Sequence, residues 1–301
     1  MLPTLSSITG IENTALDRMF YDIEVLSETE RDALTRSGRM EGRILEVGPS
    51  WEPTLKVWDS FEACEGLAPH YHAITVAGVG SSGLGAAALA RNCADALHGK
   101  VLAVVSGQGL TDLTSEAMGG YFLFGGLNAM RHSVNGFERW MKAMARMNPW
   151  ALWTNFAAPD PGQALSPAHY SADVKALIAL LSEAVECDWL VGHSKGNLVI
   201  SEALYGLRSA DRERFDDVAK DIPIVTFGAR IAMPTEIAQV IDVMGEMDGF
   251  GAFNSRPDIA VDVTVPGAWH HTNTRLPMHV DVRRVLEGIT AQRDQTHPKH
   301  P

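Results

Sequence analysis

The sequence predicts an α/β fold, a mostly parallel central sheet with helices on both faces. Three observations carry that reading. Short runs rich in Val, Ile and Leu recur along the chain. Segments with helix-like apolar spacing lie between several of them. The runs are apolar almost throughout rather than alternating, as expected for strands covered on both sides.

The elements follow in order. Residues 1–40 are mixed and charged, with helix-like spacing around Thr14–Leu34, and read as an N-terminal helical lead-in. GRILEVG (42–48) is a candidate first strand. The main strands are expected in HAITVAG (72–78), KVLAVVSG (100–107), DWLVGHS (188–194), DIPIVTFGA (221–229), AQVIDVMG (238–245) and IAVDVTVPG (259–267). Helices are expected over 84–98, 170–186, 196–208 and 211–219, with a last one at about 278–293. The tail RDQTHPKHP is polar.

Residues 108–169 break the rhythm. They hold no clear strand, but carry Phe137, Trp140, Trp150, Trp153, Phe156 and methionines at helical spacing in ERWMKAMARM. Such a segment forms its own core or caps a cleft with flexible apolar surface. The expected organisation is a lead-in (1–40) and a core (41–301) interrupted by a helical cap insertion at 108–169.

Composition narrows the function. The chain has 301 residues, is 46% hydrophobic and 21% charged, and carries a formal net charge of −12. That size allows a large buried core. The charge disfavours nucleic acid and anionic membrane as partners. Cys64, Cys93 and Cys187 are scattered and odd in number, which fits reduced thiols and no metal cage. The N-terminus lacks a basic segment followed by a long apolar run, and no apolar run reaches about 18 residues. The expectation is a soluble, cytoplasmic protein without a signal peptide or a transmembrane helix.

Two glycine-bracketed turns compete as the site. VAGVGSSGLG spells G-x-G-x-x-G at Gly78, Gly80 and Gly83, a pattern that lets a helix N-terminus approach a pyrophosphate. A dinucleotide site also needs an acid closing the next strand. VLAVVSG ends in Ser106 and Gly107, so the nicotinamide-dependent oxidoreductase reading is disfavoured. The other turn, Gly192-His193-Ser194-Lys195-Gly196, lies between an apolar strand and a helix-like run. There it would hold the Ser194 hydroxyl over the end of the sheet, with Gly192 and Gly196 allowing close backbone approach. The helix starting at Lys195 would aim free N–H groups at an oxyanion formed nearby.

On these residues the chain resembles the α/β-hydrolase superfamily over roughly residues 65–295. A weaker resemblance to the class 3 lipases rests on TFGAR and a later strand-end Asp. The resemblance implies that AGVG is the oxyanion loop, with Ala77 where the family usually has His. It implies Val79 and Lys195 as backbone donors and Gly78 and Gly80 as structural glycines. It implies that the acid and the base follow Ser194 in that order, each after a later strand. The acids on offer are Asp242, Glu246, Asp248 and Asp258; Asp248 is preferred and Glu246 is second, while Asp242 reads as a structural or exposed strand residue. VPGAWH favours His270 as the base, and His271 and His279 stay as alternatives. Asn254 and Asn273 read as loop-fixing residues, and His193 as a packing residue. His70 and His72 could bind a metal, but no carboxylate stands at ligand spacing in sequence.

The expected activity is a serine esterase or lipase acting on a small-molecule or lipid-like ester, with a Ser-His-Asp triad and neither cofactor nor metal. Acyl transfer by the same nucleophile and a non-catalytic binding protein of this fold are the alternatives.

Overall fold

The computed structural model describes residues 17–36, 40–78, 81–106, 171–183 and 185–296. The cap expected at 108–169, residues 1–16 of the lead-in, Val79 and Gly80 lie outside the described residues.

The elements run in chain order as α1 (Glu28–Arg36), β1 (Ile44–Val47), β2 (Leu55–Trp58), β3 (His70–Tyr71), β4 (Ala73–Val76), α2 (Gly83–Leu97) and β5 (Val101–Val104). Then come α3 (Ala172–Ser182), β6 (Glu186–Cys187), β7 (Leu190–His193), α4 (Lys195–Ala210), α5 (Arg212–Asp221) and β8 (Ile224–Phe227). The chain continues through β9 (Val240–Gly245), α6 (Gly249–Phe253), β10 (Val263–Val265) and α7 (Val282–Thr296). Eight strands form one sheet in the order β10-β9-β8-β7-β4-β5-β1-β2, and β3 pairs with β6 in a small parallel ladder. From β10 to β5 all neighbours are parallel. At the other edge β1 runs antiparallel to both β5 and β2.

The central strands read as continuous apolar runs because both of their faces are covered. In β5, Val101 and Ala103 join one core while Leu102 and Val104 join the other. This is the alternation of a pleated strand buried on both sides. The first core includes α2, α7 and the segment of Tyr21, Ile23 and Leu26. The second includes α3, α4 and α5. α2 packs closely because its sequence is Ala- and Gly-rich, and Ser82 caps it by accepting the Leu84 N–H. Its one buried cation, Arg91, pairs with Glu30 at 2.6 Å. None of the helices among the described residues is long and apolar enough to cross a membrane.

Three expectations shift. The helix expected over 170–186 ends at Ser182, because Glu186 and Cys187 pair with His70 and Tyr71 as a strand. The last helix starts at Val282, so His279 precedes it. β2 had no place in the sequence reading, since an edge strand exposed on one side lacks the apolar run of a central strand.

Candidate functional site

Ser194 stands between β7 and α4, at the middle of the sheet. Its backbone is at φ 54° and ψ −121°, a region costly for a residue with a Cβ. The surroundings hold it there. The Ser194 N–H donates to the Phe227 carbonyl at 2.8 Å, and the Asn197 N–H donates to the Ser194 carbonyl at 3.1 Å. The Asn197 side-chain amide donates to the Phe227 and Ala229 carbonyls at 3.0 and 2.8 Å. The neighbouring glycines are sites of close approach. A Cβ at Gly196 would overlap the Val76 carbonyl, and one at Gly192 would overlap the Asn197 side chain. A Cβ at Gly78 would come within 2.8 Å of the Ser194 Cβ, so the end of β4 abuts the serine.

Two loops from later strands meet Ser194. Asp248 follows β9 and caps α6, its Oδ1 accepting the Gly251 N–H at 2.6 Å. Its Oδ2 accepts from His270 Nδ1 at 2.8 Å. His270 lies in the loop after β10, and its Nε2 is 3.0 Å from Ser194 Oγ. All three residues are buried. The carboxylate can only accept, so His270 Nδ1 carries a proton and Nε2 is the ring nitrogen turned to the serine hydroxyl.

A second hydrogen-bonded series supports the histidine loop from behind. The Gly78 N–H donates to Tyr21 Oη at 2.6 Å, and Tyr21 Oη lies 2.8 Å from His193 Nδ1. His193 Nε2 lies 2.9 Å from the His270 carbonyl. A carbonyl only accepts, so His193 carries its proton on Nε2 and accepts the Tyr21 hydroxyl at Nδ1. Burial, with the nearby His270 second, pushes the His193 imidazole down to about 3, so it is neutral. The segment before the short 3-10 turn Ile23–Val25 also holds this loop: the Phe20 carbonyl accepts the Thr272 N–H at 2.8 Å, and the Arg18 carbonyl accepts from Asn273 at 2.6 Å. Asp17 binds the Ser82 N–H and hydroxyl at the start of α2, and burial raises its carboxyl to about 7. Tyr21 and Asp17 were not foreseen. They sit in a charged lead-in whose spacing signals a helix and nothing about a partner 172 residues away.

The other candidates lie elsewhere. His271 Nε2 donates to the Pro277 carbonyl at 3.0 Å. His279 is half-buried and bonds the Leu276 carbonyl. Glu246 accepts the Gly267 N–H. Asp242 is buried in β9 and accepts from Thr226 at 2.5 Å. Asp258 pairs with Arg256. Asn254 and Asn273 both bond backbone, as loop-fixing residues would. Lys195 opens α4 directly after the serine. Cys93 and Cys187 are buried free thiols, whereas Cys64 is half-buried.

The rim is apolar. The Phe250 ring meets His270 edge-on at 4.8 Å, and Phe20 meets it at 6.0 Å while stacking on Trp269. Met247 and Phe253, on either side of Phe250, are 57% and 54% exposed, more than such side chains usually are. At the opposite end of the sheet the structure corrects one expectation: His70 and His72 do have a carboxylate, Asp188, supplied by a distant segment.

No family model, curated protein or solved structure matches this chain.

Proposed function

We propose that the chain is a serine hydrolase of the α/β-hydrolase type that cleaves carboxylic esters with an apolar acyl or alcohol part. The observation that carries this reading is the buried series Asp248–His270–Ser194, with contacts of 2.8 and 3.0 Å. An isolated serine hydroxyl is a weak nucleophile. Here His270 Nε2 takes its proton as Oγ bonds the ester carbonyl carbon, and Asp248 holds the imidazolium that results. The tetrahedral intermediate collapses as His270 returns the proton to the departing alcohol. Water, activated by the same histidine, then releases the acid from the acyl-enzyme.

The position of Ser194 at the N-terminus of α4 supports anion stabilisation, because the first N–H groups of a helix have no partner within the helix. Each well-placed donor to such an oxyanion contributes about 3–4 kcal/mol to the rate. The second donor implied by the family resemblance, Val79, directly follows Gly78, whose closeness to Ser194 supports that loop's role. Phe250 against the histidine, and the exposed Met247 and Phe253 three residues to either side of it in sequence, support an apolar substrate.

The test is labelling with a fluorophosphonate and mapping of the modified peptide. Labelling at Ser194, absent in Ser194→Ala, is the expected result. Folded protein that stays unlabelled would overturn the reading and leave a binding protein. An ester panel of graded chain length then tests the apolar preference.

A further inference from the structure

The parallel pairing of β3 with β6 brings together residues more than a hundred positions apart in sequence. His70 pairs with Glu186 and Tyr71 with Cys187, so the chain runs on with His72 beside Asp188. Side chains two apart on extended chain share a face, which puts His70 and His72 on one side. His70 Nε2 is 3.1 Å from Asp188 Oδ1, and one ligand atom from each of His70, His72 and Asp188 lies within 4.8 Å of the others.

We propose that His70, His72 and Asp188 form a binding site for a divalent transition-metal ion such as Zn²⁺. Two imidazoles and a carboxylate suit ions of intermediate softness and suit Mg²⁺ or Ca²⁺ poorly. Bonds of about 2.0 Å in a tetrahedral site separate ligand atoms by about 3.3 Å. The His70–Asp188 contact already meets that spacing. The remaining closure falls on side chains free to adjust, since those of His70 and Asp188 are 42% and 35% exposed. The three groups line a cavity of about 680 Å³, which leaves room for a fourth ligand from water.

The charge around the cavity suits a cation. Glu186, Asp188, Asp217 and Asp221 line it, against Arg214 and Arg293. Both arginines are engaged elsewhere: Arg214 donates to the Leu181 carbonyl at 2.8 Å, and Arg293 lies over the Trp189 ring at 4.8 Å. The site is separate from Ser194. Asp188 precedes β7 and Ser194 follows it, about 20 Å of extended chain away. The proposal therefore stands independently of the esterase reading.

Gly99 offers a way to disturb the site without removing a ligand. A Cβ there would overlap the His72 ring, so the ring must move. The experiment is titration of the full-length, metal-stripped protein with Co²⁺, read by its visible absorption and by dialysis, followed by competition with Zn²⁺. One Co²⁺ per chain is expected, displaced by Zn²⁺ and indifferent to excess Mg²⁺. Affinity should fall at least about tenfold in His72→Ala and Asp188→Asn, and also in Gly99→Ala. It should not change in Ser194→Ala or in a His297→Gln/His300→Gln variant, which removes the histidines of the polar tail. Circular dichroism of each metal-free variant shows whether it has folded. The proposal is overturned if the wild type binds no Co²⁺, if folded His72→Ala binds as well as wild type, or if binding is lost with the tail histidines.

Discussion

Tyr21→Phe isolates one oxygen atom. That hydroxyl accepts the Gly78 N–H at 2.6 Å and reaches His193 Nδ1 at 2.8 Å, in a residue 1% exposed. Phenylalanine keeps the ring and its edge-on contact with His193, at 5.3 Å between centroids, so the packing survives. Two buried polar groups lose their partner at once. Each such loss costs about 1–3 kcal/mol, so the variant should lose about 2–6 kcal/mol of stability. The assay is equilibrium unfolding in urea followed by circular dichroism and tryptophan fluorescence, with wild type alongside. Nitrogen chemical shifts of His193 should still show a neutral ring with its proton on Nε2, because the His270 carbonyl still accepts there. A loss below about 0.5 kcal/mol, the range of ordinary surface changes, would refute the claim that the hydroxyl ties β4 to the histidine loop.

Asp248→Asn keeps an acceptor for the Gly251 N–H but turns an N–H toward His270 Nδ1. On the proposed mechanism, ester turnover should fall by roughly 10⁴-fold, with stability changed by less than about 2 kcal/mol. A variant with near wild-type turnover would remove Asp248 from the mechanism. Gly196→Ala drives a methyl group into the Val76 carbonyl, and thermal or urea unfolding should show a loss of at least about 1–3 kcal/mol. Asp17 gives a pH prediction. Its carboxyl is raised from the ordinary 3.8 to about 7 in the fold, so its stability is fully present below pH 4 and is lost as pH rises through 7. His193 has the opposite sign, since its depressed imidazole favours the fold above pH 6.5 and that stability is lost as pH falls toward 3. The two slopes oppose each other in wild type. Relative to Asp17→Asn, wild type should lose up to about 4 kcal/mol between pH 4 and pH 7. A difference that does not vary with pH would mean that Asp17 is not buried as a neutral acid.

Much of the architecture was legible because central strands covered on both faces must be apolar throughout. The runs in 72–78, 100–107, 188–194 and 221–229 each contain a strand of the main sheet. Gly192 and Gly196 marked the Ser194 turn because only glycine leaves room for the Asn197 side chain and the Val76 carbonyl. The order in which serine, acid and histidine follow their strands could also be read along the chain. Sequence alone left His270, His271 and His279 open, since three imidazoles in one loop and its exit differ only in where the backbone aims them. Tertiary structure separated them: the Trp269 N–H donates to the Met278 carbonyl, the Val280 N–H to the His271 carbonyl and the Thr272 N–H to the Phe20 carbonyl, and His270 is the one at Ser194. Tyr21 against His193, and Asp188 beside His70 and His72, were likewise decided only in three dimensions. Periodicity reports which face of a segment is buried. It carries no information about which distant polar group will satisfy a hydroxyl or a carboxylate once the sheet has assembled.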